Sequence, residues 1–183
     1  MRVISGIYKG RRLKSSRDLS IRPTTDRVKE YIFNILLDFP VDKEVIDFFA
    51  GSGSLGIEAL SRGARKVTFV EKSYRSIQIL KENLTHLKIP AEKYQILKQD
   101  AFYAVRHVEQ SYQLCLMDPP FKYPELQDLL NQLFDSPLLT PDGLLVVEHE
   151  VSNPVALESQ NYSILSQKKF GRSLITIMEH KHE

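Results

Sequence analysis

The chain has 183 residues, of which 42% are hydrophobic, and 25 Lys and Arg stand against 23 Asp and Glu for a net charge of +2. That length suits one domain able to bury roughly 70% of its unfolded surface, and the composition argues against disorder. No apolar run approaches the ~20 residues that span a bilayer, MRVISGIYKG lacks the apolar core of a signal peptide, and a single cysteine excludes an internal disulfide framework. A cytoplasmic protein without a membrane partner is expected.

The balanced total hides an asymmetry. Residues 1–30 hold nine Lys and Arg against three acids, a net +6, which leaves −4 on the remainder. A basic arm on a mildly acidic body fits a segment that grips a polyanion; a solvated edge guarded against strand pairing fits the charge equally well. Within the arm, RVISGIYKGRRLKS alternates apolar and polar residues around two glycines and predicts a short β-hairpin. Thr24, Thr25 and Asp26 then offer N-cap oxygens and a first-turn negative charge to a helix. Its apolar stripe is Val28, Ile32, Ile35 and Leu36, and Pro40 closes it.

From residue 44 strand and helix alternate. EVIDFF, KVTFVE, YQILKQ, YQLCLM and GLLVVEH are short β-branched or aromatic runs of the kind that form buried strands. Helical patterns separate them at residues 54–62, 73–87, 101–109 and 123–134, with Gly63 placed to end the first. This alternation implies a doubly wound α/β sheet. NYSILSQKKF and GRSLITIMEH follow as consecutive strands around Gly171, an antiparallel hairpin at the sheet edge. Cys115 lies inside an apolar run and reads as a buried thiol without a catalytic role.

DFFAGSGSLG follows the first of these strands and opens a helix. Gly51, Gly53 and Gly56 fit G-x-G-x-x-G, so a nicotinamide dinucleotide has to be weighed. The acids at the strand ends discriminate. Asp47, Glu71, Asp100 and Asp118 close four successive strands at the carboxyl edge, where open α/β sheets bind ligands. A dinucleotide accounts for Glu71 as a ribose acceptor but not for Asp47, which would repel a nearby pyrophosphate. S-adenosylmethionine, with its ammonium and sulfonium, is favoured by surrounding carboxylates. Asp100 also suits an N-cap for the helix beginning at Ala101.

The fourth strand ends in LCLMDPPF. Each proline lacks an N–H and pushes the residue before it into extended backbone, so Asp118-Pro119-Pro120 is stiff, rich in acceptors and poor in donors. That suits an exocyclic amino group, a poor nucleophile whose lone pair is delocalised into its ring. The Asp118 carboxylate and the Pro119 carbonyl accept its two hydrogens and orient the nitrogen, while Phe121 stacks on the base. The five histidines show no metal-ligand grouping, and no metal is expected.

DFFAGSGSLGIEALSRGA, VEK and MDPPF together resemble class I adenosylmethionine-dependent methyltransferases of exocyclic amines. MRVISGIYKGRRLKS and RPTTDRVKEYIFNIL narrow the resemblance, over nearly the whole chain, to the bacterial RsmD-type family, which methylates guanine N2 in 16S ribosomal RNA. The resemblance implies a Rossmann-like, seven-stranded, mostly parallel sheet with an antiparallel last strand. It makes residues 1–40 a basic arm of the same domain and residues 41–183 the methyltransferase domain. Asp47, Ala50, Gly51, Ser52, Gly53, Glu71, Lys72, Asp100 and Ala101 form the expected cofactor set, with Glu71 on the ribose and Asp100 near the adenine. Asp118, Pro119, Pro120 and Phe121 hold the guanine. Arg2, Lys9, Arg11 and Arg12, with Arg22, Thr24 and Arg27 of the RPT-x-x-R segment, are the expected RNA contacts.

The implied partner is 16S rRNA or the small ribosomal subunit, and a monomer is expected. Adenine N6 of DNA and a protein glutamine amide offer similar amino groups to such a motif, and a non-catalytic RNA-binding protein on the same fold is a further alternative. Phe170-Gly171-Arg172-Ser173 departs from the Tyr-Gly-x-Thr that the resemblance implies, so it is assigned no role.

Overall fold

The computed structural model describes residues 1–15 and 25–181. Seven strands form one sheet: β1 (Glu44–Phe48), β2 (Lys66–Val70), β3 (Tyr94–Leu97), β4 (Tyr112–Met117), β5 (Leu139–Glu150), β6 (Tyr162–Phe170) and β7 (Ser173–His180). Their order is β3-β2-β1-β4-β5-β7-β6. β1 to β5 pair in parallel, whereas β7 inserts between β5 and β6 and runs antiparallel to both. The doubly wound seven-stranded sheet with a reversed last strand is thus the architecture the chain adopts.

Register sets the ligand edge. Phe48 pairs with Val70 and with Met117, and Val70 pairs with Leu97. The residues that follow these four therefore emerge along one edge, at the point between β1 and β4 where chain order reverses and open α/β sheets leave a crevice.

Period-2 alternation sends β1 residues to opposite layers: Val45 joins the cluster under α1 (Asp26–Leu36), α2 (Ser54–Ser61) and α3 (Tyr74–His86). Ile46 and Phe48 join the other, under α4 (Ala101–His107) and α5 (Leu126–Asp135). Cys115 is buried in that second layer, where burial pushes its thiol pKa up and leaves it inert. Among the described residues, no helix is long and apolar enough to cross a membrane.

The arm pairs antiparallel, as expected, but over a shorter stretch than its alternation suggests. Its two strands reduce to a single bridge between Arg2 and Arg12. Flanking that bridge, Val3 and Gly10 exchange bonds across the arm (Val3 N–H to the Arg11 carbonyl, Gly10 N–H to the Val3 carbonyl, both 2.9 Å), while the donors nearer the turn go to α2: Ile4 and Ser5 donate to the Glu58 carboxylate at 2.7 and 3.0 Å, and Ile7 and Tyr8 donate to the Ser61 carbonyl and hydroxyl. Gly6 permits this approach, since its φ is +80° and a Cβ there would fall on the Ser61 carbonyl. Val3 and Leu13 are buried in the same cluster as α1 to α3, so the arm shares the core of the sheet.

Helix α1 begins as expected, with the Thr25 hydroxyl accepting from the Val28 N–H at 3.3 Å. Its buried stripe is Val28, Ile32, Phe33 and Leu36, whereas Ile35 is 41% exposed. Lys29 also points inward, fully buried. Its Nζ donates to the Arg2 carbonyl and stands 3.9 Å from Glu58, which in turn accepts from Arg62 at 2.9 Å. Burial lowers the Lys29 pKa, and the Glu58 carboxylate opposes that shift. One of the nine cations counted in the arm therefore faces the core.

Candidate active site

The turn from β1 to α2 is built from unusual backbone. Phe49 has φ +56°, Gly51 +55° and Gly53 +81°, so three of five consecutive residues occupy the left-handed region and fold the chain tightly from strand to helix. Two acids brace it. Asp47, 1% exposed, accepts the Gly56 N–H at 2.9 Å; Glu71 accepts the Gly51 N–H at 2.9 Å and the Ser73 N–H at 2.7 Å. Burial, with a smaller push from Glu71, raises the Asp47 pKa to about 7 against the pull of the Gly56 N–H.

Asn83 was not singled out by its sequence pattern, yet it ties this turn to the arm. Buried on α3, its amide nitrogen donates to the carbonyls of Ser52 (2.9 Å) and Lys14 (3.0 Å), and its oxygen accepts the Lys14 N–H at 2.8 Å. The available signal is a polar residue interrupting the α3 stripe of Ile77, Leu80 and Leu84.

A cleft of about 270 Å³ opens at this edge of the sheet. Gly51, Glu71, Lys72, Asp100, Ala101, Asp118, Pro119, Pro120 and Phe121 line it. Phe49, Val70, Ser73, Ser76 and Gln99 line it as well, without having been singled out beforehand. Asp47, Ala50, Ser52 and Gly53 lie behind the wall: Asp47 and Ala50 are buried, and the Ser52 carbonyl and Gly53 N–H are engaged in the turn itself. Asp100 caps α4 by accepting the Phe102 N–H at 2.9 Å while its other oxygen stands 3.8 Å from Lys72 Nζ. It serves as a cap and as cleft lining together.

At the far end, Asp118 follows β4 with its N–H 3.5 Å from the Phe48 carbonyl. Pro119 is buried, Pro120 is exposed, and Phe121 is 38% exposed with its ring available at the mouth. Tyr123 packs edge-on against Phe49 at 5.1 Å between ring centroids, joining the two ends of the cleft. Arg172 lies over the Phe121 ring, 5.9 Å from its centroid.

The basic residues of the arm sit elsewhere. Arg2, Lys9, Arg11 and Arg12 are exposed and do not line the cleft. Arg2 pairs with Asp26 at 2.9 Å and Arg11 donates to the His86 carbonyl at 3.3 Å. Arg27 stands over the Phe170 ring at the β6–β7 turn, 5.8 Å from its centroid. Arg22 and Thr24 lie outside the described residues. Among the described residues, no group of three or more His, Cys, Asp or Glu is placed to hold a metal ion.

The strand order, the single reversed strand and the glycine turn facing strand-end acids define a class I methyltransferase fold. Within that class, the chain belongs to the RsmD-type family whose model is described as Conserved hypothetical protein 95, which matches residues 1–179. It is 36% identical over 173 residues to the ribosomal RNA small subunit methyltransferase D of Haemophilus influenzae, covering 93% of this chain and 89% of that one. It is 42% identical over 152 residues to the putative rRNA methyltransferase YlbH of Bacillus subtilis, covering 82% and 83%. The solved structure of the putative methyltransferase yhhF from Escherichia coli matches with a TM-score of 0.88 at 34% identity, covering 100% of this chain and 99% of that one.

Proposed function

We propose that this protein transfers a methyl group from S-adenosylmethionine to the exocyclic N2 of a guanine in small-subunit ribosomal RNA. The observation that carries the reading is that the acceptor-rich Asp118–Phe121 segment and the strand-end acids Glu71 and Asp100 wall one and the same cleft. The substrate class follows from the family and from relatives named as ribosomal RNA small subunit methyltransferases.

The cleft suits this cofactor. Among the described residues, three carboxylates line it against one ammonium, Lys72, which already stands near Asp100, and the remaining wall includes the apolar Phe49, Val70, Pro119 and Phe121. Net negative charge favours a sulfonium and an ammonium, while apolar walls favour an adenine ring. When bound, the cofactor supplies an electrophilic methyl carbon.

This chain's own residues do the rest. Glu71, fixed by two backbone N–H groups, is preset to accept ribose hydroxyls, and Asp100, fixed by the α4 N-terminus, is preset to accept the adenine amine. Asp118 and the Pro119 carbonyl accept the two hydrogens of the target amine. They align its lone pair and stabilise the positive charge that grows on nitrogen as the N–C bond forms. Phe121 stacks on the base, the methyl–sulfur bond breaks as the N–C bond forms, and the nitrogen gives its extra proton to water.

The test supplies labelled cofactor to purified protein with rRNA or small subunits from cells lacking the enzyme, followed by mass analysis of nucleosides. Methyl on guanine N2, lost at least about a hundredfold in Asp118→Ala, is expected. Label on adenine N6 or on protein glutamine, or none on rRNA, would overturn the proposal.

A further inference from the structure

The β6–β7 turn carries a side chain that the reaction above leaves unused. Glu150 ends β5 and pairs in register with Ser173 at the start of β7, and the Val151 N–H donates to the Arg172 carbonyl at 2.9 Å. Arg172 is thereby held at the ligand edge of the sheet. Its guanidinium bonds Glu150, whose side chain is only 4% exposed, while its own side chain is 73% exposed and lies over Phe121.

A guanidinium has five N–H donors in a rigid fork. One Glu150 oxygen and one ring face fix its orientation, and the outward donors remain in water. The pair with Glu150 offsets part of the guanidinium charge, but it leaves the outward N–H donors exposed. Two further cations share this rim: Arg27 over Phe170, in the same turn, and exposed Lys122, next to Phe121 with φ +58°. Cations therefore cluster on the Phe121 side of an acidic cleft, a charge pattern for a ligand whose reacting part enters while its phosphates stay outside.

We infer that Arg172 is an RNA-binding residue that takes a phosphate flanking the target nucleotide, held for that purpose by Glu150 and Phe121. This rests on the proposed RNA substrate. It gives the base one face of Phe121 and leaves the other to the arginine. It also adds to the arm a second RNA contact, one directly beside the chemistry.

Arg172→Gln alone leaves Glu150 buried without its partner, so the test pairs it with the double variant Glu150→Gln/Arg172→Gln. Both are measured for rRNA methylation kinetics, cofactor affinity, melting temperature, and the salt dependence of RNA binding. Both are expected to raise the RNA KM about tenfold with kcat little changed. Both should also flatten the slope of log affinity on log salt by about 0.7, one single-strand phosphate contact. Cofactor affinity should match wild type. An unchanged slope and KM in both variants, or a loss seen in the single variant and absent from the double, overturns the inference. If the wild-type protein methylates no rRNA, the proposed function has failed instead.

Discussion

The two ends of the cleft are made differently. At the cofactor end, Asp47, Glu71, Asp100 and Asn83 all hold backbone N–H or carbonyl groups of the turns they adjoin, and every one of these bonds forms within the chain. At the substrate end, Pro120 and Lys122 are exposed, Phe121 is partly so, and Arg172 reaches over the ring from a turn. The carboxylates that fit a cofactor are therefore also fold-holding groups, whereas the residues assigned to the base, buried Pro119 apart, contribute little to the core. Changes at the first end should cost stability together with cofactor binding; changes at the second should cost reaction alone.

The strongest test of that division is pH. Asp47 is raised from an ordinary 3.8 to about 7, with burial as the main cause. Between those values the native carboxyl keeps its proton while the unfolded one has lost it, so unfolding releases a proton. The contribution is fully present below about pH 4 and disappears as pH rises through about 7, at most about 4 kcal/mol at roughly 1.4 kcal/mol per pH unit. Denaturant melts from pH 4 to 8 should show this fall in wild type and not in Asp47→Asn. Equal slopes in the two proteins would break the link between the buried acid and the turn.

Gly56→Ala attacks the same contact sterically. A Cβ there would overlap the buried Phe69 ring, stand 2.8 Å from Val67 Cγ1 and 3.0 Å from Asp47 Oδ2. The expected loss is about 3 kcal/mol, read as a lower melting temperature with weaker cofactor binding. A variant that melts like wild type would show that the α2 start can move without cost.

Much of this was readable from residue order because short buried strands, glycines and prolines are local signals. The five parallel strands, the four acids that end them and the stiffness of Asp118-Pro119-Pro120 follow from neighbours in sequence. What residue order concealed is where polar groups find partners. The RVISGIYKGRRLKS alternation satisfies the pattern of a hairpin, yet the donors of Ile4, Ser5, Ile7 and Tyr8 are taken by Glu58 and Ser61, more than fifty residues away. Lys29 counts as an arm cation until Glu58 is placed beside it. Asp47 is visible as a strand-end acid, but only packing shows that it turns away from the cleft, toward Gly56. Phe33, which the periodicity passed over, is fully buried beneath Arg62 at the end of α2, whereas Ile35 is left on the outer face.

Asn83→Ala sharpens the comparison by cutting the bond between arm and cofactor turn. It removes hydrogen bonds to Ser52 and Lys14 at a site 1% exposed, and about 2 kcal/mol of stability should go with them. Cofactor affinity and RNA affinity should fall together, as read by calorimetry and by RNA titration. Loss of one without the other would show that arm and turn are independent.

Phe121→Leu is the smallest change and the most discriminating. The side chain is 38% exposed and its ring is covered by the exposed Arg172, so removing the ring should leave stability within about 0.5 kcal/mol of wild type. Leucine keeps apolar contact but offers no ring face to a base or to Arg172, so the reaction should lose the stacking on the base and the ring's hold on the guanidinium. That is about 1 kcal/mol, a roughly fivefold fall in kcat/KM for rRNA, with cofactor affinity unchanged. A melting temperature that falls with the activity would mean that Phe121 supports the fold, and that the two ends of the cleft are one structural unit. An unchanged kcat/KM would mean that the base is held by Asp118 and Pro119 alone. The division stands if the ring matters to the substrate and to nothing else.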